Sequence, residues 1–206
     1  MKKLFLASYS NLVIDKIIEI LPSAPNTLKL AFIPTARDPY SITAKIDPEK
    51  DKLVSMGFNI KVVDLKNKSK EQLGKELSDI DVIFVAGGNT FYLLEKSLES
   101  GFDSLLKELV GKGVVYVGAS AGAVLVGPDI RIVEDLDDSK DAPNLSTTKG
   151  IGLVDFIILP HFGEGPLKKK VDEVYKKWKH SANKVIPLTN KQAIIVNGDT
   201  YKIVEA

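Results

Sequence analysis

Short apolar runs punctuate the chain and alternate with longer stretches of mixed polarity. The runs are rich in Val, Ile, Leu and Phe and are stopped by Pro, Gly or polar residues, which is typical of buried strands. On this pattern we predict strands at residues 4–7, 28–33, 60–65, 81–86, 114–117, 156–159 and 185–188. A further short strand is predicted at residues 130–133.

Between these strands, apolar residues recur at the three- and four-residue spacing of amphipathic helices. This spacing predicts helices at residues 12–21, 42–56, 69–78, 91–98, 102–110, 121–126 and 167–179. Ser69 followed by Gln72 has the spacing of a capping box and marks the start of one helix. Residues 134–152 are polar and lack periodicity, so we expect them to form a mobile loop.

The order of these elements predicts the fold class. Strands that alternate with helices indicate an α/β protein with a doubly wound, mostly parallel sheet. The last two strands, residues 193–196 and 200–204, flank Asn197-Gly198, which indicates an antiparallel hairpin at the C-terminal end. Because the sequence contains neither an internal repeat nor a linker, residues 1–206 are expected to form one domain.

Residues 114–126 combine a predicted strand, the turn Gly118-Ala119-Ser120-Ala121-Gly122 and a run of small apolar residues. The turn matches G-x-S-x-G, and strand, turn and helix are the context that a nucleophile elbow requires. Glycines at its two ends avoid Cβ clashes in so tight a turn. We therefore predict that Ser120 stands above the sheet as a nucleophile, although the same motif also occurs in turns without chemistry.

Two more segments bring polar residues to the ends of predicted strands, namely Gly87-Gly88-Asn89-Thr90 and Pro160-His161. Ligands of open α/β sheets bind at the carboxyl ends of the strands, so both segments are expected near Ser120. His161 could then act as general base, and the N–H groups of Gly88 and Ala121 could form an oxyanion hole. The competing interpretation is a structural histidine and an ordinary turn in which Asn89 or Thr90 caps the next helix.

A third group is expected to orient His161, and sequence spacing does not select it. The candidates are Asp135, Asp137, Asp138, Asp141 and Asn190. The other histidine, His180, ends a lysine-rich helix and is expected to be structural.

Composition narrows the possible chemistry. Lys+Arg 28 against Asp+Glu 27 leaves a net charge of +1, which indicates no general attraction to nucleic acid or to membranes. The absence of cysteine excludes disulfides and thiolate catalysis, and two histidines are too few for a His-rich metal site. We therefore expect no metal or organic cofactor. No apolar run is long enough for a signal peptide or a membrane span, so the expected location is the cytoplasm.

Three motifs, in this order and spacing, resemble those of the peptidase E (aspartyl dipeptidase) family of serine peptidases. They are Gly87-Gly88-Asn89-Thr90-Phe91, Gly118-Ala119-Ser120-Ala121-Gly122-Ala123 and Pro160-His161-Phe162. The resemblance extends over nearly the whole chain. It implies a three-layer fold akin to class I glutamine amidotransferases, and cleavage of dipeptides with an N-terminal aspartate by serine, histidine and an acidic partner.

By resemblance, Ser120 is the nucleophile, His161 the base and Asp135 the acidic partner. The chain departs from the family at two places. Asn190 stands where the family has a competing glutamate, and this departure either favours Asp135 or leaves a weaker triad. The segment Gly163-Glu164-Gly165-Pro166 looks shorter than the family loop that helps to form the substrate pocket.

We thus predict a serine peptidase that hydrolyses short peptides, with dipeptides as the leading substrates, through an acyl-enzyme at Ser120. The alternatives are a hydrolase of another amide or ester, such as a cyanophycin-like β-aspartyl bond, and a non-catalytic small-molecule-binding domain. An aspartate side chain needs a cation or several donors, so Arg37, Lys169 and Asn89 are the candidate substrate-binding residues. The sequence leaves the oligomeric state open.

Overall fold

The computed structural model describes residues 1–40 and 47–206 of the chain. The strands in these ranges are β1 (Lys3–Ala7), β2 (Lys29–Ile33), β3 (Asn59–Val62), β4 (Val82–Val85), β5 (Val115–Ala119), β6 (Phe156–Leu159), β7 (Lys184–Pro187), β8 (Gln192–Asn197) and β9 (Thr200–Glu205). The α-helices are α1 (Ser10–Val13), α2 (Pro48–Ser55), α3 (Lys70–Glu76), α4 (Thr90–Glu99), α5 (Phe102–Gly111), α6 (Ala121–Leu125) and α7 (Lys168–Trp178). Within the same residues, no helix has the length and apolarity needed to cross a bilayer.

The central sheet has the strand order β3-β2-β4-β5-β1-β8-β9. Its first five strands in this order run parallel, and β8 and β9 then add antiparallel pairs at the β1 side. This arrangement confirms the predicted α/β class with a mostly parallel sheet and an antiparallel C-terminal hairpin. Because β4, β5 and β1 are parallel neighbours, the polar turns that follow them lie at one edge of the sheet.

A second, two-stranded sheet consists of β6 and β7, which pair in parallel with Phe156 opposite Lys184. The apolar run of β6 is buried, as predicted, but in the described residues it joins this small sheet rather than the large one. The segments that follow β6 and β7 therefore lie side by side. His161 belongs to the first of these segments and Asn190 to the second.

The hydrophobic core occupies both faces of the central sheet. On β1, Leu4 and Leu6 belong to the cluster that α4 and α5 cover, whereas Phe5 joins the cluster beneath α1 on the opposite face. All three side chains are inaccessible to solvent. Since both faces of the strand are covered, its sequence is apolar throughout instead of alternating.

One strand prediction is wrong. Residues 130–133, expected to be a strand, contain the 3₁₀ turn Arg131–Val133. The Asp129 side chain accepts the backbone N–H of Arg131 at 2.9 Å, a local bond that competes with strand pairing.

Two predicted helices differ from those in the structure. Residues 12–21 form the short α1 and then the 3₁₀ segment Ile14–Glu19. The buried side chains Ile14, Ile17 and Ile20 recur every third residue, which is the period of a 3₁₀ helix. Of the helix expected at residues 42–56, the structure shows α2, while residues 42–46 lie outside the described ranges.

Candidate active site

Ser120 stands at the turn between β5 and α6 in a backbone conformation that non-glycine residues rarely adopt. Its φ is 47° and its ψ is −106°. The Ser120 N–H donates to the Ala7 carbonyl at the end of β1, at 2.9 Å, and this bond helps to hold the strained turn. The serine side chain is thereby presented at the carboxyl edge of the parallel strands.

The two glycines of the G-x-S-x-G turn are required by close packing. A Cβ on Gly118 would lie 2.5 Å from the Gly122 carbonyl oxygen, and one on Gly122 would lie 2.3 Å from that of Val85. Neither distance is compatible with a side chain. The glycines therefore let α6 pack directly against the ends of β4 and β5, which fixes the direction of the Ser120 side chain.

His161 follows β6 and also has a left-handed backbone, with a φ of 61°. Its Nε2 lies 3.0 Å from Ser120 Oγ, within hydrogen-bond distance. The two residues named as nucleophile and base from the sequence are thus brought together by elements of two different sheets.

Asn190 contacts the other ring nitrogen of His161. Its Oδ1 lies 2.7 Å from His161 Nδ1. An amide oxygen only accepts hydrogen bonds, so Nδ1 carries the proton and Nε2 is left free to accept the Ser120 hydroxyl proton. The Glu164 carboxylate accepts the Asn190 backbone N–H at 3.2 Å and ties the two loops together.

The structure does not bring Asp135 to His161, which corrects the expected triad. Asp135 is about half exposed, at 51%, and its Oδ2 lies 3.5 Å from Lys177 Nζ on α7. The 3₁₀ turn at Arg131–Val133 replaces the expected strand and carries the chain to the surface at this point. The position next to His161 is taken by Asn190.

Carboxylate side chains hold the loop of residues 134–152 against α4. The Asp137 carboxylate accepts the Thr90 N–H at 2.9 Å, and the Glu95 carboxylate accepts the Asn144 N–H at 2.6 Å. Burial raises the pKa of Asp137, while its bond to Thr90 and the proximity of His161 act in the opposite direction. The loop expected to be mobile is therefore fastened at both of these points.

The Gly87-Gly88 turn lies beside Ser120. A Cβ on Gly87 would be 3.2 Å from Ser120 Cβ, and one on Gly88 would be 2.2 Å from the Ala36 carbonyl oxygen. Gly88 has a φ of 148°. Within residues 1–40 and 47–206, the N–H groups of Gly88 and Ala121 donate to no protein acceptor. Both donors predicted for an oxyanion hole are thus free to bind an oxygen of a substrate.

Asn89, a candidate substrate-binding residue, is fully buried and serves the protein itself. Its Oδ1 caps α4 by accepting the Tyr92 N–H, and its Nδ2 donates to the Asp138 carbonyl and to Asp141, each at 2.8 Å. The capping interpretation considered for this residue therefore describes its position in the structure.

The two candidate cations differ in their surroundings. Arg37 donates to the carboxylates of Asp47 and Glu49, so its guanidinium is already neutralised. Burial raises the pKa of Glu49, and bonds from Ser10 and Arg37 counteract this effect. Lys169 is exposed near the start of α7. In the described part of the chain, neither side chain forms a hydrogen bond with Ser120 or His161.

Ser8 is a site residue that the sequence analysis missed. It directly follows β1 and is completely buried, and its Oγ accepts the His161 N–H at 2.8 Å. The available signal was its position, because it is a polar residue at the carboxyl end of a strand like the other residues of the site. Among the described residues, no group of three His, Asp or Glu side chains is arranged to hold a metal ion.

A parallel α/β sheet with a strained serine between strand and helix, and a histidine on its hydroxyl, is the architecture of a serine hydrolase. The family model of peptidase family S51 matches residues 4–204. The chain belongs to this family and is a serine-type peptidase.

Relatives and solved structures agree with this assignment. An uncharacterized peptidase of Listeria monocytogenes is 32% identical over 198 residues, which cover 96% of each protein. A Drosophila melanogaster protein titled "Probable alpha-aspartyl dipeptidase" is 33% identical over 147 residues, covering 70% of this chain and 57% of the relative. A crystal structure of a Listeria monocytogenes protein assigned to peptidase E superposes with a TM-score of 0.91 at 31% identity, covering 100% of this chain and 99% of the other.

Proposed function

We propose that this peptidase cleaves short peptides, dipeptides among them, through a relay of Ser120, His161 and Asn190. The observation that carries the proposal is the continuous chain of contacts from Ser120 Oγ to His161 Nε2 and from His161 Nδ1 to Asn190 Oδ1. It gives the serine a base, and it gives that base a defined tautomer.

In the acylation step, Ser120 Oγ bonds to the carbonyl carbon of the peptide while His161 Nε2 takes the hydroxyl proton. The carbonyl oxygen becomes an oxyanion and is stabilised by the N–H groups of Gly88 and Ala121. When the tetrahedral intermediate collapses, the C–N bond breaks and His161 returns the proton to the leaving nitrogen. The products of this step are a free amine and an acyl ester on Ser120.

Deacylation repeats the same proton transfers with water. His161 Nε2 accepts a proton from water as the water oxygen bonds to the acyl carbon. The second tetrahedral intermediate then releases the carboxylic acid, and the proton returns to Ser120 Oγ. Asn190 stays neutral throughout and accepts the hydrogen bond from His161 Nδ1–H, so it orients the ring without supplying a charge.

The expected preference for an N-terminal aspartate has weaker support from the site than the relay has. A side-chain carboxylate needs a cation when it is desolvated, and Arg37 is engaged by Asp47 and Glu49. Of the two proposed cations, only Lys169 is left for this task. We therefore expect the peptidase to cleave Asp-X, Ala-X and Leu-X dipeptides with kcat/KM values within about tenfold of one another.

The proposal is tested with a fluorophosphonate probe and a dipeptide panel on the parent protein, Ser120→Ala and Ser97→Ala. Ser97 is a buried serine on α4 whose hydroxyl donates to Leu93 O, which makes it a matched control. Parent and Ser97→Ala should label and cleave dipeptides, and Ser120→Ala should lose about 10⁴-fold or more in kcat while remaining folded.

Other outcomes separate the alternatives. Probe labelling of Ser120 without cleavage of any dipeptide would indicate a hydrolase of another amide or ester, such as a β-aspartyl bond. A folded parent that neither labels nor hydrolyses would indicate a binding domain and would refute the proposed mechanism. Selectivity for Asp-X above about 100-fold, lost in Lys169→Gln, would restore the aspartate preference.

A further inference from the structure

The two reacting side chains are carried by different sheets. Ser120 follows β5 of the central sheet, whereas His161 follows β6 and Asn190 follows β7 of the small sheet. The distance from Ser120 to His161 therefore depends on how the two sheets are held together at the active-site edge. A shift of either sheet would change this distance and leave the His161–Asn190 pair intact.

The end of β1 contacts both halves of the site. The Ala7 carbonyl accepts the Ser120 N–H at 2.9 Å, and the next residue, Ser8, accepts the His161 N–H through its Oγ at 2.8 Å. The Ser8 N–H itself donates to Gln192 O, which fixes it to the central sheet. Two adjacent residues of one strand end thus hold the nucleophile and the base.

The backbone of His161 needs such an anchor. With a φ of 61°, it occupies a left-handed region that is unfavourable for a non-glycine residue. The His161 N–H donates to Ser8 Oγ, on the side of the central sheet. The N–H of Phe162 donates to Leu188 O, on the side of the small sheet, at 3.0 Å. These successive bonds, made in opposite directions, determine where the His161 ring stands between the sheets.

Resting on the proposed function, we propose that Ser8 is a positioning residue: its buried hydroxyl links the small sheet to β1 and sets the Ser120–His161 distance. Ser8 does not contact the His161 ring, so its effect is exerted through the backbone. Loss of its acceptor should let the His161 loop relax away from Ser120. Proton transfer in catalysis should suffer, whereas the binding of the substrate should not.

The first experiment compares steady-state kinetics of the parent, Ser8→Ala, Ser8→Thr and Ser97→Ala. Ser8→Ala should lower kcat by about 10- to 100-fold with KM within about twofold, since small misplacements of reacting groups have effects of this size. Ser8→Thr keeps the hydroxyl and should recover much of the loss. Ser97→Ala removes an equally buried hydroxyl that serves only α4, and should keep the parental kcat.

A second readout is independent of activity. The chain has two histidines, so its imidazole NMR spectrum contains two ring systems, and His180→Gln identifies that of His161. In Ser8→Ala the His161 ring signals should shift or broaden, and the His161 amide should exchange faster with solvent. In Ser97→Ala both observables should match the parent.

The outcomes separate this inference from the proposed function. If Ser8→Ala keeps kcat within about twofold and the His161 signals do not change, Ser8 has no positioning role. The same conclusion follows if Ser97→Ala loses as much kcat as Ser8→Ala. A parent without hydrolase activity would refute the proposed function, and Ser8 would then be judged on the His161 spectrum alone, where an unchanged spectrum overturns the inference.

Discussion

The imidazole of His161 is contacted by an uncharged side chain, that of Asn190. The sequence offers four aspartates and Asn190 as candidate partners of His161, and the family resemblance favours Asp135. In the structure a neutral amide takes that position at 2.7 Å from Nδ1. Relays in which an asparagine orients the histidine occur among cysteine peptidases, so a charged third member is not essential for holding the tautomer.

Replacement of Asn190 tests the orienting role. Asn190→Ala should lower kcat by about 10- to 100-fold, because the imidazole can then rotate or adopt the other tautomer. Asn190→Asp should keep kcat within about tenfold of the parent, and it should shift the acid limb of the kcat/KM pH profile to higher pH. The reason is that a carboxylate next to Nδ1 favours the imidazolium form, although the nearby Glu164 opposes a second charge.

The control for this prediction is Asn183→Ala. Asn183 directly precedes β7 of the small sheet, and its replacement should keep the parental pH profile. An Asn190→Ala protein with unchanged kcat would exclude the relay, as would an Asn190→Asp protein whose acid limb does not move.

The proximity of Ser120 and His161 could be predicted from the sequence because each follows an apolar strand within a short, recognisable motif. Asn190 and Ser8 could not be assigned in the same way. Asn190 reaches His161 through the pairing of β6 with β7, and Ser8 lies 153 positions from His161 in the chain. Contacts of this kind depend on tertiary structure, and no local pattern of residues reports them.

At the scale of elements, the elbow helix α6 shows why its sequence consists of small residues. Gly122 lies against the Val85 carbonyl, and the buried Tyr116 hydroxyl donates to the Gly122 carbonyl at 2.6 Å. Burial also raises the pKa of Tyr116, so this hydroxyl remains a donor at ordinary pH. Helix α6 is thus held on the sheet by backbone contacts in addition to side-chain packing.

Two helical glycines provide a matched pair for testing this packing. Gly122→Ala should lower the free energy of unfolding by about 3 kcal/mol and reduce probe labelling of Ser120, because a backbone carbonyl cannot move aside as a side chain does. A Cβ on Gly111 of α5 would have nothing within 4 Å. Gly111→Ala should therefore stabilise the protein by about 0.5 kcal/mol. Urea unfolding monitored by circular dichroism measures both changes.

Equal effects of the two alanines on stability would contradict the packing argument, and so would a Gly122→Ala protein with parental labelling.

Most strands, helices and caps could be predicted from the sequence, and the Ser69–Gln72 capping box is present as expected. The 3₁₀ turn Arg131–Val133, where a strand was expected, was not predicted, because a single side chain, Asp129, supplies the bond that turns the backbone.

At the scale of the whole molecule, the arginine proposed for substrate recognition is part of the scaffold. Arg37 follows β2, Asp47 and Glu49 belong to the start of α2, and the Ser10 hydroxyl of α1 donates to Glu49. The side chains of Arg37 and Glu49 are 22% and 11% exposed. The cluster therefore ties α1 and α2 to the central sheet at the edge that also carries the active site.

Arg37→Gln should accordingly act on stability and not on substrate choice. Removing one partner of a largely buried ion pair leaves an uncompensated charge, so the free energy of unfolding at pH 7 should fall by about 3 kcal/mol. The pair of Lys75 with Glu71, whose side chains are 77% and 79% exposed, supplies the control, and Lys75→Gln should change stability by less than about 1 kcal/mol. The ratio of kcat/KM for Asp-X and Ala-X dipeptides should be the same in all three proteins.

The pH dependence of this loss has a defined sign. Burial already raises the pKa of Glu49 in the parent, and Arg37 is among the groups that restrain this rise. Without Arg37 the pKa of Glu49 should rise further, so the folded variant takes up a proton at a higher pH than the unfolded chain does. A raised carboxyl pKa favours the folded state at low pH, and this contribution is lost as the pH increases through the folded-state pKa.

The difference in unfolding free energy between parent and Arg37→Gln should therefore be largest at neutral pH and shrink on acidification. A difference that is constant from pH 7 to pH 5, or a selective loss of Asp-X cleavage in a stable variant, would return Arg37 to the substrate site.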